Sequence, residues 1–188
     1  MNLGAADLFG VHGPIAQAGD AVWTPDWCAA DMVRHFKPTG RILEPCRGGG
    51  AFMRHLPAGA EWCEITEGRD FFAWNDPVDW IITNPPYSLT REFLRHAMTV
   101  AANFVFLLPA RNIFSGYGTV RECAGWGGLA EIRWYGTGSR LDFPMGNAIA
   151  AIYWKRGHFD GIIRETYFED EQVRAALTTG IKTEAGHE

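Results

Sequence analysis

The stretch Asp79-Trp80-Ile81-Ile82-Thr83-Asn84-Pro85-Pro86-Tyr87 changes character halfway. A short apolar strand over 79–83 runs straight into a turn stiffened by two prolines, which offer carbonyls without a competing N–H. In open α/β sheets ligands bind at the carboxyl ends of strands, and this turn stands at such an end. At average residue frequencies Asn-Pro-Pro-Tyr arises by chance in about one chain in 2,000. A buried strand feeding it is also the wrong setting for an exposed proline-rich ligand. The residue types suit one chemistry. A nucleobase amino nitrogen is a poor nucleophile because its lone pair is delocalised into the ring. The Asn84 side-chain carbonyl and the Pro85 backbone carbonyl can each accept one of its N–H groups and so aim the lone pair at an electrophile. Tyr87 supplies a flat face for the base. This is catalysis by positioning and electrostatics.

Upstream, residues 41–45 read as a strand entering the loop Leu43-Glu44-Pro45-Cys46-Arg47-Gly48-Gly49-Gly50-Ala51-Phe52. Glycines there permit a tight turn and close approach of a ligand to the backbone. The loop is not a dinucleotide fingerprint, because Met53 stands where G-x-G-x-x-G needs glycine, and it lacks the G-K-[ST] ending of a P-loop. Thr24 and Pro25 open a predicted helix, Thr24 as N-cap and Pro25 in the first turn, ending before Lys37-Pro38. A short helix is expected over 51–56 and a second strand over 61–65, where Glu64 can take both hydroxyls of a ribose. Only four residues separate Ile65 from Asp70, far fewer than the dozen a parallel crossover needs, so the chain is shortened between the second strand and 79–83.

Downstream, 90–102 is an amphipathic helix with Phe93, Leu94, Ala97, Met98 and Ala101 on one face. Residues 104–108 read as a buried strand, and 129–135 with 148–155 as an antiparallel hairpin. Two glycine-bearing loops, 110–128 and 136–147, mix Arg111, Phe114, Arg140 and Phe143. A short helix is expected at 170–177. Alternating helices and strands give an α/β fold in one domain, 1–188, with its core at about 22–156 and a tail at 157–188.

Composition narrows the class. With 47% apolar and 21% charged residues among 188, the chain is globular rather than disordered. No apolar run approaches the ~20 residues of a membrane span, and no basic residue precedes Arg34, so neither a membrane partner nor a signal peptide is expected. Four scattered cysteines and six histidines have no ligand spacing, which argues for a reduced, cytoplasmic protein without a metal. The net charge of −5 does not exclude nucleic acid: of the 17 basic residues, nine fall in 80–164 against five acids, and most are arginine.

Taken together these residues resemble the S-adenosylmethionine-dependent DNA amino-methyltransferases, adenine-N6 class, over about residues 22–156. Asn84-Pro85-Pro86-Tyr87 is similar to that family's catalytic motif. Glu44, Pro45, Gly48 and Gly50 are similar to its cofactor loop. Trp23-Thr24-Pro25 resembles the segment whose threonine meets the methionine carboxylate. Glu64 resembles the ribose-binding acid, though Thr66 stands where aspartate is usual. Asp70-Phe71 resembles the pair that reads the cofactor adenine. The resemblance implies a Rossmann-like methyltransferase fold, mostly parallel with a C-terminal antiparallel hairpin. It also implies S-adenosylmethionine as cofactor and methyl transfer to the N6 amino group of adenine in DNA. RNA adenine, cytosine N4 and a protein glutamine amide present similar amino groups, and a non-catalytic nucleic-acid-binding subunit is the rival from another class. No target-recognition domain is visible. Specificity is therefore expected from the loops, through Arg111, Phe114, Arg140 and Phe143, or from pairing of two copies.

Overall fold

Side chains alternate along the apolar run at 104–108 and divide the interior in two. In the strand Ala101–Pro109, Phe104, Phe106 and Leu108 enter one core, while Val105 and Leu107 enter the other. A strand buried on both faces needs a helical layer on each. The computed structural model, which describes residues 22–114 and 116–168, supplies both layers.

The strands are β1 (Ile42–Glu44), β2 (Glu61–Trp62), β3 (Val78–Thr83), β4 (Ala101–Pro109), β5 (Leu129–Thr137), β6 (Ala148–Lys155) and β7 (Arg164–Tyr167). They form one sheet in the order β2-β1-β3-β4-β6-β5-β7. The β1–β2, β1–β3, β3–β4 and β5–β7 pairs are parallel, and β6 runs against both β4 and β5. Parallel register (Leu43 beside Ile81, Thr83 beside Phe106) brings the carboxyl ends of β1, β3 and β4 to one edge. The expected mostly parallel sheet with its antiparallel hairpin is present.

Helix α1 (Asp26–Phe36) covers one face through Cys28, Ala29, Met32 and Phe36. Helix α2 (Thr90–Val100) covers the other through Phe93, Leu94 and Ala97. It passes directly into β4 at Ala101, so the strand begins earlier than the apolar run alone suggests. Several expectations are corrected. Residues 51–56 form successive turns rather than a helix, and β2 keeps only two residues, because the chain folds back through a Glu64–Arg69 bridge. The 110–128 loop contains α3 (Arg111–Phe114) and α4 (Tyr117–Trp126). The expected tail supplies β7, a short, mostly exposed strand ordered by pairing with β5. The helix expected at 170–177 lies outside the described residues. Between β2 and β3 there are only two short 3₁₀ turns, Ile65–Glu67 and Phe71–Ala73, as the shortened connection requires.

One buried polar network ties α1 to the far half of the sheet. Asp31 is 3% exposed and accepts from Arg133 at 2.6 and 3.1 Å, from the Tyr135 hydroxyl at 2.8 Å and from Arg34 at 3.0 Å. Burial alone would raise its pKa, but these hydrogen bonds prevail and hold the carboxyl below its ordinary 3.8. Asp31→Ala leaves Arg133 and Tyr135 without their acceptor, and chemical denaturation should show a loss of about 3–5 kcal/mol. Since the folded pKa is the lower one, Asp31 stabilises fully above the unfolded value. That contribution should fade as pH falls through the folded value, and in Asp31→Ala this acid-limb loss should be missing.

Candidate active site

Because β1 and β3 are neighbours, Glu44 at the end of one lies beside Thr83 at the end of the other. The Thr83 hydroxyl donates to Glu44 Oε1 at 2.5 Å, and the Cys46 N–H reaches the same oxygen at 3.2 Å. Glu44 is fully buried, and among the described residues its Oε2 has no hydrogen-bond partner. Burial pushes its carboxyl up to about 8, the bonds from Thr83 and Cys46 offsetting this only in part. Glu44 thus anchors the glycine loop through Cys46 and the proline turn through Thr83.

The glycine loop follows. Gly48 and Gly50 have φ of +47° and +77°, a left-handed backbone that side chains resist. At Gly49 the constraint is contact, since a Cβ there would stand 2.8 Å from the Trp23 ring. The loop is held from behind by Glu64, whose Oε2 accepts the Gly48 N–H at 2.8 Å while Oε1 accepts the Thr66 hydroxyl at 2.8 Å. Burial opposes the charge on Glu64, but these bonds outweigh it and keep the carboxyl below its usual range. Arg54, from the turns after the loop, donates to the Gly49 carbonyl at 3.0 Å and to Asp26 at 2.7 Å.

Asn84 is the pivot of the site. Its Nδ2 donates to the Val22 carbonyl at 2.9 Å and to Thr24 Oγ1 at 3.1 Å. A carbonyl can only accept, so the amide orientation is set, and its Oδ1 is left buried with no donor among the described residues. Thr24 therefore does not cap α1. Pro25 holds the N-cap position with no side-chain bond, and the threonine hydroxyl is turned to the proline turn instead. The Tyr87 ring packs against the α2-side core, while its carbonyl accepts from Thr90 at 2.8 Å and from Asn112 at 3.2 Å.

Trp23, Thr24, Cys46, Gly48, Gly49 and Asn84 line a cavity of about 210 Å³. That is below the roughly 300–1,000 Å³ enclosing a whole drug-sized ligand, so the cavity takes one end of such a molecule. An unpartnered amide oxygen, a glycine cradle and a hydroxyl converge there. The glycine cradle and the Thr24 hydroxyl suit S-adenosylmethionine, and the Asn84 amide oxygen beside them remains open to an amino group. Pro45 and Pro85 are buried beside it, and Glu44 lies beneath rather than on its wall.

Asp70 and Phe71 are placed elsewhere. Asp70 accepts the Phe72 N–H at 2.9 Å, and Phe71 is 3% exposed among Phe72, Phe93 and His96. Neither lines the cavity. Arg111, Phe114 and Arg140 are exposed as expected. Phe143 is not available to substrate: it is 5% exposed, buried with Leu141 and Tyr135 in the α1-side core. Four contributors escape a linear reading, namely Val22, Arg54, Thr83 and Asn112. Only Thr83 leaves a trace, as a polar residue closing an apolar strand.

No protein-family model and no curated protein matches this sequence. Solved structures do resemble the fold. A class I S-adenosylmethionine-dependent methyltransferase from Listeria monocytogenes superposes with a TM-score of 0.58 at 14% identity, over 90% of this chain and 73% of that one. A modification subunit of a type I restriction enzyme from Vibrio vulnificus gives 0.57 at 14%, over 88% and 54%. A type I restriction-modification methyltransferase subunit from Streptococcus thermophilus gives 0.58 at 13%, over 86% and 53%. The chain spans about half the length of the two modification subunits. Its fold is the Rossmann-like fold of these methyltransferases.

The buried Glu44 has a measurable consequence. Between pH 4.5 and about 8 the folded chain retains a proton that the unfolded chain has lost, so Glu44's contribution to stability declines as pH rises through that window. Glu44→Gln keeps an acceptor for Thr83 and Cys46 but does not titrate. Denaturation midpoints measured from pH 5 to 8 should fall less in the variant than in the wild type; equal falls would remove this assignment.

Proposed function

We propose that the chain transfers a methyl group from S-adenosylmethionine to the N6 amino group of adenine in DNA. The observation carrying this reading is the Asn84 amide, whose N–H groups are tied down by Val22 and Thr24 while its carbonyl is left buried without a donor. A buried acceptor without a partner costs about 1–3 kcal/mol, a cost relieved when an amino group arrives. The likeness to methyltransferase folds, two of them modification subunits, supports the same reading.

S-adenosylmethionine, when bound, supplies an electrophilic methyl on a sulfonium centre. Thr24, the Gly48–Gly50 loop and Glu64 are the residues that would hold it. Asn84 Oδ1 and the Pro85 carbonyl accept the two N–H groups of the target amine. That draws its lone pair out of the ring and aims it, which is worth a large factor when the dipoles are already in place. Tyr87 gives the base a face to stack on. An amino group inside a duplex is unreachable, so the base must be flipped out or lie on a single strand. Arg111 and Arg140 take phosphates at the rim, and Phe114 serves as the exposed ring there now that Phe143 is accounted for in the core.

Incubation with the cofactor and unmethylated DNA, followed by nucleoside mass spectrometry, should yield N6-methyladenine; N4-methylcytosine or methylated RNA alone would replace the substrate. Asn84→Ala should reduce turnover by about 10²–10³, the usual cost of removing one oxyanion-type hydrogen bond, with little change in cofactor affinity. The cofactor should raise the melting temperature by mass action, and Glu64→Ala should weaken its binding about 10-fold or more. Near wild-type turnover in Asn84→Ala would sink the mechanism.

A further inference from the structure

Helix α3 leaves β4 at the sheet's carboxyl edge, and the Asn112 amide fastens it to the catalytic turn: its Nδ2 donates to the Tyr87 carbonyl and to Thr90 Oγ1, each at 3.2 Å. The inner side of α4 is fully engaged. Cys123 is buried, the Trp126 indole donates to the Met98 carbonyl at 2.9 Å, and Glu122 is gripped by Arg95 at 2.5 and 2.8 Å. The outer side is different. Phe114, Tyr117 and Val120 are 53%, 78% and 37% exposed, and Arg111 and Arg121 stand exposed beside them. Tyr117, Val120 and Arg121 share one helix face by the 3.6-residue period.

Charge identifies what this face accepts. The one carboxylate of α3 and α4, Glu122, lies on the inner side and is neutralised by Arg95 and Arg91, whereas Arg111 and Arg121 form no ion pair among the described residues. The uncompensated charge is positive. Scattered exposed apolar residues are ordinary, but here three fall within seven positions, interleaved with arginines that no carboxylate holds among the described residues, on a segment that Asn112 bonds to the Tyr87 turn. An exposed ring can stack only on a base whose face is free, which duplex stacking denies and a single strand offers.

We propose that the outer face of α3 and α4 is a platform for single-stranded DNA flanking the target base, with Phe114 and Tyr117 stacking on bases and Arg111 and Arg121 on phosphates. It rests on the methyl-transfer reading for what the strand delivers, and on this surface alone for the binding. The test uses the full chain with a fluorescent single-stranded oligodeoxynucleotide of about 12 bases and its duplex, followed by anisotropy across a salt series. The single strand should bind more tightly. Phe114→Ala and Tyr117→Ala should each weaken it about 5- to 100-fold. Arg111→Gln with Arg121→Gln should flatten the log–log salt slope by about 1.4, near 0.7 for each phosphate no longer neutralised. All four side chains are exposed, so unchanged melting temperatures should accompany these losses.

Wild-type strand binding in the aromatic variants overturns the platform. So does tighter duplex binding that the variants leave intact, or a protein partner that Tyr117→Ala releases while strand binding persists. Failure of the other reading looks different: if strand binding falls in the variants but the wild type methylates no nucleic acid, the platform stands and the catalytic assignment does not.

Discussion

A single buried hydrogen bond, from the Thr83 hydroxyl to the Glu44 carboxyl, joins the two strand ends on which the site is built. β1 and β3 are parallel neighbours, so everything following them, glycine loop and proline turn alike, leaves the sheet at the same edge. Parallel pairing alone places the two loops side by side. The Glu44 carboxyl adds a fixed distance between them, because it also receives the Cys46 amide at the start of the glycine loop. With the carboxyl raised to about 8, the bond at neutral pH is between two largely uncharged groups, which avoids the heavy cost of an unpaired buried charge.

From that anchor the constraint passes to Asn84. Two donors on its amide are spent on the segment leading into α1, so the polypeptide before the first helix and the turn after the third strand hold each other. The arrangement leaves Asn84 Oδ1 buried without a donor among the described residues. Such exceptions concentrate where a ligand completes them. Glu64 acts similarly from the opposite side. Its bonds to Gly48 and Thr66 keep the loop's left-handed glycines in place before any ligand arrives.

The shortened connection between β2 and β3 has a structural consequence. With no crossover helix there, the α2-side core is completed by Phe71 and Phe72 from a 3₁₀ turn, packed tilted and edge-on against Phe93 and His96. Asp70 caps that turn. Residues that resemble a base-reading pair are thus occupied in closing the interior where a helix is missing. At the other end of the sheet, Asp31 and Arg133 take up the corresponding task, fixing α1 to β5 by charge rather than by additional apolar area.

What the sequence determined by itself is what local chemistry determines. The strand signals at 79–83 and 104–108, the period of 90–102, the glycines at 48–50 and the proline turn at 84–87 each act within a few residues, and each element is found, with the helix ending at Val100 and the strand after it beginning at Ala101. The tertiary structure decided what depends on distant partners. Residues 164–167 form a strand because β5 offers an edge to pair with, a partner more than thirty positions back that the local sequence does not announce. Phe143 has the same ring whether it stacks on a base or fills a core, and only packing against Leu141 and Tyr135 settles the choice. Thr24 is as good a helix cap as any threonine, yet a donor 60 residues away in the chain claims its oxygen. Short-range propensity is weak, worth tenths of a kcal/mol to about 1 kcal/mol, and burial or a long-range hydrogen bond of comparable or greater size overrides it wherever the fold brings the partner near.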